Sequence, residues 1–141
     1  MALNRDRIGH RYPSYRYEVS REKIREYAYA TGVRDEAYRQ DTGDWLAPPT
    51  FAACIAGGAR NLSWAADPEL GFHPALVHGS QRYTFARPVI VGDVLECTPM
   101  IADVADRDRM ELLTVRIECV EAATGALVVT AESVIIFFKQ E

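Results

Sequence analysis

The rhythm of apolar and polar positions changes twice along the chain and divides it into elements. Residues 12–19, YPSYRYEV, are aromatic and β-branched and predict a short strand or extended arm. From Ser20 the period becomes helical: Ile24, Tyr27, Ala28 and Thr31 fall on one face. Ser20 suits an N-cap, Glu22 lies in the first turn, and Gly32 is a natural stop. Residues 33–45 are polar and rich in Asp, Gly and Arg, which predicts a surface loop with a single helical turn. After Pro48 and Pro49, residues 50–64 read as a second helix of mostly small or apolar side chains. A helix apolar on nearly all sides should be buried, and small side chains would let it sit close to a sheet. Gly57-Gly58 inside it costs about 1 kcal/mol per Gly relative to Ala, so packing has to supply the reason for the helix to continue.

The second half alternates with period two. Strands are predicted over residues 77–85, 94–100, 110–120 and 127–138, the second broken near its end by Pro99. Residues 87–93 and 122–125 make turns, and the charge run 103–109 reads as a solvated loop, as does 34–44. Closely spaced turns between such strands predict an antiparallel meander. The whole chain, 1–141, is expected to be one α+β domain in which an antiparallel sheet wraps around one buried helix.

Composition narrows the functions. Of 141 residues 48% are hydrophobic and 26% charged, with 16 Lys+Arg against 20 Asp+Glu and a formal net charge of −4. That balance argues against non-specific attraction to nucleic acid or an anionic membrane. Cys54, Cys97 and Cys119 are too few and too irregular for a disulfide framework and include no Cys-x-x-Cys pair. They are expected as buried, reduced thiols of a cytoplasmic protein. Residues 1–10 lack the apolar core of a signal peptide, and no apolar run reaches membrane-spanning length. No His/Cys/Asp cluster has metal-ligand spacing, and no Gly-rich fingerprint suggests a nucleotide cofactor, so neither metal nor cofactor is expected.

Three stretches of text carry a resemblance. Arg11-Tyr12-Pro13, Tyr17-Glu18-Val19 and Arg21-Glu22-Lys23-Ile24-Arg25-Glu26-Tyr27-Ala28, after Met1-Ala2-Leu3, resemble the N-termini of HadA-type subunits of (3R)-hydroxyacyl-ACP dehydratases. Leu46-Ala47-Pro48-Pro49-Thr50-Phe51 resembles the Leu-Ala-Pro-Leu-Thr-Phe entry to their central helix. The stretch from Phe85 to Asp93, Phe-Ala-Arg-Pro-Val-Ile-Val-Gly-Asp, resembles a turn of the wider MaoC-like dehydratases. The resemblance implies the hotdog fold and the reversible loss or addition of water at a (3R)-3-hydroxyacyl thioester, carried by ACP or CoA. In catalytic members an Asp-x4-His dyad handles water and the C2 proton, and a glycine N–H at the helix entry holds the thioester oxyanion.

Placed residue by residue, those groups are missing. Val33 stands at the Asp position, Tyr38 at the His position, and Pro49, which has no N–H, at the glycine. The resemblance therefore implies a subunit that pairs with a catalytic hotdog chain and lines the acyl tunnel. Phe51, Ala53, His78 and Gln81 would face the substrate, and Arg60, Arg82 and Arg87 are candidates for the carrier's phosphates. The alternative is an autonomous homodimeric hydrolase or hydratase, with His78 as base and Asp35 as the nearest acid. A third reading is a thioester-binding protein without chemistry.

Overall fold

The computed structural model describes residues 2–38, 45–57 and 59–140, without the side chains of 59–61. In chain order its regular elements are β1 (Tyr15–Glu18), α1 (Arg21–Ala30), α2 (Ala52–Ala56), β2 (Leu76–Phe85), β3 (Val94–Arg107), β4 (Met110–Glu121) and β5 (Leu127–Phe138). The strands form one sheet in the order β1-β3-β4-β5-β2, antiparallel throughout. The meander β3–β4–β5 makes its middle, and β1 and β2 close its two edges. Alternate residues of the meander, among them Leu95, Cys97, Val115, Ile117, Ala131 and Phe137, point inward and are buried with Phe51, Ala52 and Ile55 from the central helical segment. This is the hotdog arrangement that the resemblance implies.

Local chemistry explains the helices. Ser20 Oγ accepts the Lys23 N–H at 3.1 Å and caps α1, which buries Ile24 and Ala28. Gly32 leaves the helix end with φ of 72°. The 33–45 loop carries the expected single turn, a 3₁₀ turn at Glu36–Tyr38, and residues 39–44 lie outside the described residues.

The central helix is shorter than its composition predicts. A 3₁₀ turn at Pro49–Phe51 leads into α2, the chain leaves the helix at Gly57 with ψ of −174°, and a second 3₁₀ segment runs over Ala59–Trp64. Packing does not offset the weak helix propensity of Gly57-Gly58, so the helix ends there. Nor is it buried on all sides: Phe51, Ala52, Ile55 and Ala56 are covered, but Ala53 is exposed and Cys54 half-buried.

Two other expectations fail at β3. It runs on through Pro99 to Arg107. The Pro99 carbonyl accepts the Tyr12 N–H at 2.9 Å, so this residue's backbone faces the N-terminal arm rather than β4, and the missing N–H removes no β3–β4 bond. The charge run 103–109 is strand as far as Arg107; the turn is only Asp108, with φ of 42°, and Arg109. Val104 is buried between exposed Asp103 and Asp106, which shows how a strand end accommodates a charged stretch.

Candidate functional site

A cavity of about 250 Å³ lies between the central helical segment and the inner face of the sheet. Ala53, Ala56 and Gly57 form one wall, and Leu62 and Trp64 of the following 3₁₀ segment another. The sheet supplies His78, Gln81 and Tyr83 from β2, Val115 from β4, and Ser133 and Ile135 from β5.

His78 and Gln81 share this cavity only because β2 is irregular. Residues three apart on a regular strand point to opposite faces. The register of β2 against β5 slips between His78 and Ser80, leaving Gly79 as the extra residue of a bulge. A Cβ on Gly79 would stand 2.8 Å from Ile136 Cδ1 and 3.2 Å from the Val134 carbonyl oxygen. His78 Nε2 lies 2.9 Å from the Ser80 carbonyl oxygen, so in the neutral ring Nε2 donates and Nδ1 is left as an acceptor. Ser133 Oγ donates to Gln81 Oε1 at 2.5 Å, which leaves the Gln81 amide with N–H donors for an entering group. Burial, with Tyr27 and Cys54 nearby, pushes the Tyr83 phenol above its ordinary range, so it is a neutral hydroxyl here. Among the described residues the lining contains no carboxylate. Apolar walls with an amide, an imidazole and two hydroxyls suit binding of an acyl group better than proton transfer by an acid–base pair.

The positions assigned to the dyad and oxyanion are divided. Val33 lines a separate cavity of about 450 Å³ with Arg25, Tyr29, Arg34 and Trp45. Tyr38 and Pro49 line a third, of about 340 Å³, with Leu46, Phe85 and Pro88. At the helix entry the Phe51 N–H is already taken by the Pro48 carbonyl at 2.8 Å.

The remaining candidates fall elsewhere. Phe51 is fully buried with its ring edge-on to Tyr17 and Tyr27, at 6.3 and 5.5 Å between centroids. Asp35 accepts the Ala37 N–H at 3.0 Å in its own turn and is not brought to His78. Arg82 is exposed on the outer face of the sheet, opposite Glu132. Arg87 bridges Asp93, at 2.9 and 3.0 Å, and Glu121, at 2.6 Å. These bonds, Asp93's first, hold its guanidinium charged and tie the turn before β3 to the end of β4. The Arg60 side chain lies outside the described residues. Among the described residues no group of three or more His, Cys, Asp or Glu could hold a metal ion, and no helix is long and apolar enough to cross a membrane.

Leu62, Trp64, Tyr83, Ser133 and Ile135 were not among the residues picked from sequence. Period-two spacing, from Gln81 to Tyr83 and from Ser133 to Ile135, is the signal that could find three of these, Tyr83, Ser133 and Ile135.

The chain is similar to known proteins along most of its length. Residues 6–131 match the model of the FAS1-like, dehydratase domain region. A UPF0336 protein of Thermobifida fusca is 37% identical over 147 residues, covering 96% of this chain and 94% of the relative. The C-terminally truncated HadBC (3R-hydroxyacyl-ACP dehydratase) complex of Mycobacterium tuberculosis contains a chain with a TM-score of 0.74 and 27% identity, over 89% of this chain and 92% of that one. The R-hydratase PhaJ1 of Pseudomonas aeruginosa shares the fold, with a TM-score of 0.64 and 18% identity over 94% and 83% of the two chains. With the sheet order, the family match and these neighbours in agreement, the chain belongs to the FAS1-like dehydratase-region family and has the hotdog fold of the MaoC-like dehydratases.

Proposed function

We propose that this chain is a hotdog subunit of an (R)-specific 3-hydroxyacyl-thioester dehydratase or enoyl-thioester hydratase. A partner hotdog chain supplies the Asp/His dyad, and this chain lines the acyl tunnel through the cavity of Ala53, His78 and Gln81. The substrate is an acyl-ACP or acyl-CoA, no further cofactor takes part, and the reaction is cytoplasmic. The observation that carries the reading is chemical. By the resemblance, valine, tyrosine and proline fall at the positions where the reaction needs a carboxylate, an imidazole and an N–H, and among the described residues the cavity lining has no carboxylate. The HadBC neighbour, itself a complex of two kinds of subunit by name, supports assembly with a different hotdog chain.

The test is crotonyl-CoA hydration by the purified chain, alone and mixed with a hotdog partner bearing Asp-x4-His. Little turnover is expected alone and substantial turnover in the mixture. Val33→Asp with Tyr38→His should not rescue the lone chain, because one missing oxyanion donor costs about 100- to 1000-fold in rate and Pro49 still withholds its N–H. Turnover by the unmodified chain that is abolished in His78→Ala and unaffected in Tyr38→Phe would instead establish the autonomous enzyme with His78 as base. Thioester binding without turnover in any mixture would leave a binding protein.

A further inference from the structure

The cavity between α2 and the sheet has an open polar end and a closed apolar end, and the pairing of β2 with β5 places both. Tyr83 pairs with Ala131, Gln81 with Ser133, His78 with Ile135, and Leu76 with Phe137. Gln81, Ser133, His78 and Ile135 line the cavity, but Leu76 and Phe137 do not, so the space stops between these last two rungs. Packed aromatic rings stand there. Trp64 is edge-on to Phe72 at 5.9 Å between centroids, and Phe72 is edge-on to Phe137 at 5.8 Å. Trp64 is the ring of this row that lines the cavity; it is 6% exposed, and Phe137 behind the row is fully buried. At the other end Ala53 and Gln81 are exposed. The Gln81 amide has N–H to donate, because Ser133 Oγ occupies its Oε1, and Tyr83 adds a hydroxyl. His78, the polar residue nearest the closed end, is turned to the Ser80 carbonyl oxygen.

Volume sets the size of what fits. A protein cavity of about 150 Å³ takes one benzene, so at the same density a larger one takes about one carbon per 25 Å³. The 250 Å³ of this cavity then holds about ten non-hydrogen atoms. A 3-hydroxyacyl group of about eight carbons has that number once its carbonyl and hydroxyl oxygens are counted. The two oxygens match the Gln81 and Tyr83 end, and the alkyl tail matches Ile135 and Trp64. We infer that this cavity takes short-to-medium acyl groups, up to about eight carbons, and that Trp64 is the residue that sets the limit. Phe72 and Phe137 hold the indole from behind, so a longer tail meets a wall that does not swing aside. The inference rests on the reading of the chain as an acyl-thioester subunit and adds to it the size of the acyl group and the residue that stops it.

The walls named here all belong to this chain, so the limit is measurable on the full chain by itself. Straight-chain acyl-CoAs from butanoyl to dodecanoyl are titrated calorimetrically, with CoA as the baseline. Affinity should rise about fourfold per added CH₂ as far as octanoyl-CoA and then level off or fall. Trp64→Leu, which keeps the core apolar, should carry the rise to decanoyl-CoA and bind it about tenfold more tightly than wild type does. Circular dichroism establishes that the variant is folded. Ile135→Val, a smaller change at the same end, should favour decanoyl- over octanoyl-CoA in the same direction. An affinity that climbs unbroken to dodecanoyl-CoA in wild type, or a break that stays at octanoyl-CoA in folded Trp64→Leu and in Ile135→Val, overturns the stop and leaves the subunit reading standing. If no acyl-CoA binds more tightly than CoA itself, both are overturned.

Discussion

Gly79 decides where two other side chains point. Its bulge turns His78 and Gln81 to the same face, and the space for its missing Cβ is already filled by Ile136 and the Val134 carbonyl. Gly79→Ala should therefore cost about 1–3 kcal/mol in stability, as overpacking does, read as a lower urea midpoint at unchanged slope. The nearer obstacles are Ile136 Cδ1 at 2.8 Å and Cγ1 at 2.9 Å, atoms that alanine lacks. Ile136→Ala should cost less in the Gly79→Ala background than in wild type, and a double-mutant cycle measures how much. Strictly additive effects would show that the obstacle is the backbone carbonyl instead. Sequence pointed to His78 and Gln81 through a resemblance, but nothing in the text announced the bulge. The glycine was visible; the atom it avoids belongs to a strand nearly sixty positions away.

Elements are held to one another by a few charged contacts, and the N-terminal arm is the clearest case. Asp67 accepts from Tyr12 Oη at 2.7 Å and pairs with Arg7 at 2.8 Å, fixing the arm to the segment that follows Trp64. Burial alone would raise the Asp67 carboxyl. The bonds from Tyr12, the Glu69 N–H and Arg7 outweigh it and hold the group below the usual carboxylate range. A carboxyl lowered on folding adds stability above its unfolded value of about 3.9 and loses it as pH falls through the folded value. Wild type should exceed Asp67→Asn in urea stability at neutral pH. The margin should shrink below about pH 4 and close on further acidification; a margin independent of pH would place the effect in packing. At this scale the sequence was most legible where local rules and tertiary demand agree, as in α1 with its cap, period and stop. It was misleading at Pro99, where the missing N–H matters only if it faces a neighbour, and at 103–107, where charge read as loop but alternate positions of a strand end are free to be charged. It was misleading at Gly57 for the opposite reason, since local propensity prevailed where packing was expected to win. Alternation marked the sheet residues that line the cavity, but which of them meet α2 depends on pairings between distant strands.

For the whole molecule the strand order has two outcomes. Among the described strands β2 pairs with β5 alone, over ten residues, and exposes Val77 at 46% and Phe85 at 36%. A long edge with apolar exposure invites a further strand, and the cavity behind it opens beside the exposed Ala53. Sedimentation velocity at micromolar concentration should find at least a dimer, of this chain with itself or with its catalytic partner, and Val77→Lys should move the distribution toward monomer. A wild-type chain that sediments as a monomer under all these conditions would remove β2 as an association edge. The same order governs synthesis. β2 emerges before β3 and β4, yet its partner β5 is made after both. Throughout translation of the meander β2 has neither edge satisfied, and loop closure across two intervening strands must precede its docking. Nascent chains are thus at their most aggregation-prone just before β5 leaves the ribosome, and a stall within β5 exposes more sticky backbone than one anywhere upstream of β2.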